Sequence, residues 1–106
     1  MKTWRVEVTP GVEERLTAIL EYISRDPLHN PDAALSVYLD FESTVRQIGL
    51  MGDRIPVGSH PIMRERQLRR INFERHRYYL IYRLNGEAAQ VVRIGHFLED
   101  ADGVLR

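Results

Sequence analysis

Trp4, Val6 and Val8 alternate with Arg5 and Glu7, the two-residue period of a strand with one buried face, and predict a first strand over residues 3–8. The period changes at Thr9. Its side-chain oxygen suits the open amides of a helix start, Pro10 suits the first helical position, and Glu13 and Glu14 suit the positive end of the dipole. Val12, Leu16, Ile19, Leu20 and Ile23 then share one helical face, as an amphipathic helix packed on a core requires. Asp26-Pro27 ends that helix, because proline removes a backbone donor and disfavours helical geometry in the residue before it. Asn30-Pro31-Asp32 repeats the cap-and-proline start. Ala34, Val37, Tyr38, Phe41, Val45 and Ile48 form the second stripe, to about Gly52. So short a connector predicts an antiparallel helical hairpin.

Residues 53–61 contain Gly58 and two prolines and read as a loop with a short extended piece. From Arg64 the helical period is gone. Leu68–Phe73 is an extended segment whose apolar parity slips between Leu68 and Ile71, which predicts a bulge near Arg69 and Arg70. Tyr78, Leu80, Tyr82 and Leu84 lie on one side of the next strand, with Tyr79, Ile81 and Arg83 on the other. Asn85-Gly86 is the preferred central pair of a type I′ hairpin turn, and Ala88–Ile94 returns as the final strand. The order β-α-α-β-β-β predicts an α+β fold, a helical hairpin on one face of a mostly antiparallel sheet, with the other sheet face left for function.

Composition fits that picture. The chain has 106 residues, 43% hydrophobic and 28% charged, the values of one ordinary globular domain spanning residues 1–106. It contains no cysteine, which excludes a disulfide scaffold and thiolate chemistry. The N-terminus alternates in polarity and no apolar run is long, so neither an export signal nor a membrane span is expected, and a cytoplasmic location is. The formal net charge of zero is unevenly assembled. Residues 64–94 hold eight Arg against three Glu, whereas residues 1–63 hold six Lys+Arg against nine acids. A basic band in a neutral chain points to a local site for an anionic partner rather than general adhesion.

Six arginines, Arg64, Arg66, Arg69, Arg70, Arg75 and Arg77, crowd into RERQLRRINFERHR. Guanidinium groups on rigid strands can donate paired hydrogen bonds to phosphate or carboxylate. Charges along a sheet edge also discourage pairing with other chains, and the sequence leaves both uses open. Arg93 and His96, in RIGHFLED, have the chemistry to hold a phosphate and move a proton; strand capping or bonds to Glu99 or Asp100 are the alternative. Tyr79 is a candidate for stacking on bases, while Tyr78 and Tyr82 suit core packing. His29, His60 and His76 lack metal-site spacing, and no phosphate loop or serine-nucleophile motif is present, so no metal or other cofactor is expected.

The strand, the cap-proline hairpin with NPDAA, the arginines, YYLIYRL and VVRIGHFLED together resemble the RelE/ParE superfamily of type II toxins over nearly the whole chain. The ribosome-dependent members cut messenger RNA with basic sheet residues and a terminal arginine and tyrosine. Against that pattern Arg70 keeps one basic position, but Asn72, Tyr79, Phe97 and Gly103 replace others. The ending Arg93, His96 and Asp100 is similar to that of the gyrase-poisoning ParE-type members. The resemblance therefore implies a toxin acting on DNA gyrase, or a ribosome-dependent nuclease using Arg70, Arg93 and His96, or an inactive member. In the first two cases a cognate antitoxin covers Arg64, Arg66, Arg69, Arg70, Arg75, Arg77 and Arg93. Sequence-specific DNA binding by this chain alone is not expected.

Overall fold

The computed structural model describes residues 2–25 and 31–98. The predicted helix stop at Asp26-Pro27, the Asn30 cap, His29, and Glu99, Asp100 and Gly103 lie outside them. Strand β1 (Arg5–Val8) leads into helix α1 (Pro10–Arg25), where the amides of Val12 and Glu13 donate to the carbonyl of Thr9. Helix α2 (Pro31–Met51) is followed by a short helix α3 (Pro61–Glu65) and strands β2 (Arg69–Asn72), β3 (Tyr78–Asn85) and β4 (Ala88–His96). No helix among the described residues is long and apolar enough to cross a membrane.

The sheet order is β1-β4-β3-β2. β4 pairs antiparallel with β3 and parallel with β1, and β2 closes the other edge antiparallel to β3. The two long helices cover one face. Val12 and Leu16 from α1, and Phe41 and Ile48 from α2, pack there on Ile71, Phe73, Leu80, Tyr82, Ala89, Val91 and Ile94. Removing each large side chain of this set from water contributes roughly 1.5–3 kcal/mol. Tyr82 is fully buried, and its hydroxyl donates to the carbonyl of Gly52 at 2.7 Å, tying β3 to the end of α2. Burial pushes that phenol up to about 12, with the nearby charges of Arg69 and Asp53 acting in opposite directions.

The loop over 53–61 forms as expected, with its extended piece at the bridge between Val57 and Arg69, and leads into the unexpected α3, a single turn too short to show helical periodicity. Three local expectations are corrected. The bulge lies elsewhere. β2 pairs regularly with β3, and the register shift falls between Ile81 and Tyr82 of β3, where β4 supplies the extra residue Val92. The parity slip in β2 has another cause. Leu68 and Ile71 enter different cores, because Met63 of α3 builds a second, smaller core with Leu68, Tyr79 and Ile81 on the face away from the long helices. The outer face is thus partly covered rather than bare. Finally, Asn85 remains paired with Ala88, and Gly86 alone in the turn has positive φ, at 63°. Gly86 is therefore the first central residue, as in type II′, and not the second of a type I′ pair.

Candidate functional site

On the outer face the strand registers sort side chains into rows. Arg70 is paired with Ile81, and Ile81 with Arg93, so the two arginines flank Ile81 with Cα atoms about 10 Å apart at normal strand spacing. In the row on one side, Asn72 opposes Tyr79 and Tyr79 opposes Gly95. In the row on the other, Arg83 opposes Gln90 and Gln90 opposes Glu7.

Arg93 reaches this face because of the bulge. Ala89 and Val91 point into the helix-side core, and strict alternation would send residue 93 there too. With Val92 as the extra residue, Ile94 takes the core position and Arg93 is exposed opposite Ile81. Re-aiming a side chain is a recurrent use of bulges.

Arg70 is held in place from two directions. Its Nε donates to Oδ1 of Asn72 at 3.0 Å, and its guanidinium lies 3.9 Å from the centroid of the Tyr79 ring and 5.3 Å from that of Phe97. Tyr79, buried, is stacked on Phe97 at 6.4 Å. The Tyr79 ring crosses β4 at Gly95, where a Cβ would come within 2.4 Å of it.

Arg66, Arg83 and Arg93 meet around Leu68 and Val92. Arg66 arrives there because Gln67, at φ 55°, turns the chain sharply out of α3, with the amide of Leu68 returning to the carbonyl of Met63 at 2.8 Å. Left-handed backbone is costly for a side chain, most of all a β-branched one. Gln67→Val is expected to lower stability by about 2 kcal/mol, and Gln67→Gly to leave it unchanged or raise it by up to about 1 kcal/mol, as read by chemical denaturation.

The remaining expected site residues are placed elsewhere. Arg69 faces the helix side: its guanidinium donates to the carbonyl of Asp53 at 3.2 Å and to that of Ile55, pinning the loop after α2. Arg64, exposed on α3, donates to the carbonyl of Ser59 at 3.3 Å. Arg75 lines an open cavity of about 450 Å³ beside α2, with Asp32, Leu35 and Leu39 among its neighbours. Arg77 is exposed just before β3, and its carbonyl accepts the amide of Phe97 at 2.9 Å. His96 is in register with Tyr78 and meets that ring edge-on at 4.9 Å, while its Nδ1 accepts the amide of Leu98 at 3.1 Å. Tyr78 packs on the helix-side core. Arg93 and His96 therefore leave β4 on opposite faces.

The sequence reading missed two features. Arg83 was visible in the alternation of YYLIYRL, on the side of Tyr79 and Ile81, but it lies outside the dense arginine run. Asp40, on α2, is joined to the β2–β3 loop only by folding. Its buried carboxylate accepts the amides of Glu74, Arg75 and His76 at 3.3, 3.0 and 3.0 Å and meets Nδ1 of His76 at 2.8 Å. The carboxylate that His76 meets is thus Asp40, thirty-six residues away, and not its sequence neighbour Glu74. Burial raises the Asp40 pKa, but the bonds from His76 and from the amides of Arg75, His76 and Glu74 outweigh it and hold the group below its usual value. Among the described residues no group of three or more His, Cys, Asp or Glu side chains is gathered as a metal site.

No family model and no curated protein matches the chain. Among solved structures, a chain of the chromosomal ParDE TA system from P. aeruginosa has the same fold, with a TM-score of 0.72 at 19% sequence identity over 89% of this chain and 96% of that one. The α+β fold expected from the sequence, a helical hairpin on one face of the sheet, is the fold that this chain adopts and shares with that structure.

Proposed function

We propose that this chain is the toxin of a type II toxin–antitoxin system, of the ParE-like kind, arresting growth by binding DNA gyrase and neutralised by a cognate antitoxin. The observation that carries the proposal is the fold, shared over 89% of the chain with a component of a ParDE TA system. The outer face adds to it. Arg66, Arg70, Arg83 and Arg93 converge there, and a disordered acidic segment that folds on binding suits such a surface.

The positions of Arg93 and His96 favour a binding role over RNA cleavage. A general acid must reach the atom that it protonates, and these two residues face opposite ways across β4. Regulated expression in a bacterial host tests the reading. Growth arrest with gyrase-dependent DNA breaks and an SOS response is expected. Cuts in translated messages at the ribosomal A site, by primer extension, would instead support the nuclease alternative, and normal growth without any partner would support an inactive member. Copurification from the native operon is expected to yield a second protein with an acidic, helix-forming segment.

A further inference from the structure

Two departures from regular backbone meet at one place on the outer face. Gln67 is the one non-glycine residue at positive φ among the described residues, and the register shift at Val92 interrupts the β3–β4 ladder. The first brings Arg66 and Leu68 to the sheet; the second brings Val92 and Arg93 to the same side. With Arg83 they enclose a hollow of about 150 Å³. Irregular backbone beside gathered charged side chains is a common mark of a binding site.

The floor of the hollow is apolar, Leu68 and half-buried Val92, and its rim is three guanidinium groups. Arg83 is oriented by a neutral partner, its Nε donating to Oε1 of Gln90 at 3.0 Å, while Gln90 donates to Glu7 at 3.3 Å. Glu7 is itself paired with Arg5 at 3.1 Å. The acid nearest in this row is therefore already engaged, and three like charges around one hollow favour an incoming anion.

We infer that this hollow anchors a carboxylate side chain of a partner protein, an Asp or Glu carried next to an apolar residue. The space admits one side chain, with its methylenes on Leu68 and Val92 and its oxygens between guanidinium groups that can bond it in pairs. A nucleic-acid strand suits the face less well. The chain has a formal net charge of zero and so lacks the broad positive field that polyanions require, and the nearby Tyr79 ring is roofed by Arg70 rather than open to a base. Naming the partner as the antitoxin rests on the toxin reading; the chemistry of the hollow stands apart from it.

The Nε–Hε resonances of Arg66, Arg83 and Arg93 report occupancy when the labelled full chain is titrated with the tripeptide N-acetyl-Leu-Glu-Leu amide. Saturable shifts are expected, and the glutamine counterpart is expected to bind at least about tenfold more weakly, since neutral bonds replace charge-assisted ones. Arg83→Gln, or Arg66→Gln outside the sheet, should weaken the glutamate peptide by a similar factor without altering the core amide spectrum, and Arg46→Gln on α2 should not. Absence of shifts, or equal binding of the two peptides, overturns the inference. So does displacement of the peptide by inorganic phosphate or single-stranded RNA at equal or lower concentration. Growth arrest enters none of these readings, so the anchoring site and the toxin proposal can fail separately.

Discussion

Replacing Asp40 with alanine is expected to lower the unfolding free energy by about 3 kcal/mol, because a buried acceptor of four hydrogen bonds is lost and its donors are left to find water. For a domain of this size that shifts the thermal midpoint by roughly 12–20 °C. The carboxylate is 3% exposed, and it clamps the loop between β2 and β3 to α2. Its effect on the pH profile has a definite sign. The folded pKa lies below the ordinary 3.8, so the charged form contributes fully above about pH 4, and the contribution fades as pH falls through the folded value. Denaturation curves from pH 7 downward should show the native chain losing stability below pH 4 and the Asp40→Ala chain losing less. Equal acid sensitivity in both would contradict the role given to this group.

Gly95→Ala is the second large effect. A Cβ at residue 95 would lie 2.4 Å from Cζ and 2.5 Å from the hydroxyl oxygen of Tyr79. The ring cannot yield cheaply: it is 1% exposed, in the second core with Met63, Leu68 and Ile81, beneath Arg70 and against Phe97. An aromatic ring laid across a glycine of the neighbouring strand is a paired device, and filling the glycine position breaks it. The expected loss is about 2–3 kcal/mol, with Arg70 displaced from its place over Tyr79. Gly11→Ala is the control. Nothing lies within 4 Å of a Cβ there, and alanine in α1 should be neutral or stabilising by up to about 1 kcal/mol. Equal stability of the two variants would mean that the ring and the glycine are not coupled.

The elements of the fold were legible where the pattern was local. Trp4, Val6 and Val8 announced β1, the two apolar stripes announced the helical hairpin, and the alternation of Tyr78–Leu84 announced the central strand. Other features depend on contacts between distant segments. The parity slip from Leu68 to Ile71 was visible, but only the docking of α3 reveals it as two-sided burial. The slip that does mark a bulge, from Val91 to Ile94, was equally visible and decides which face Arg93 occupies. The site was legible as a basic band but not as a geometry. Arg69 reads like Arg70, yet strand parity sends it to the loop carbonyls after α2. Arg83, outside the dense run of arginines, completes the cluster, and Asp40 meets its loop across more than thirty residues of chain.

The decisive measurement is growth arrest by two equally charged triple variants, Arg70→Gln/Arg83→Gln/Arg93→Gln on the outer sheet face and Arg15→Gln/Arg25→Gln/Arg46→Gln on the long helices, each first shown to fold by its thermal transition. If function resides in the arginines gathered on the sheet, the first variant grows normally and the second arrests as strongly as the native chain. A sheet variant that still arrests growth, or a helix variant that alone loses the effect, would contradict it.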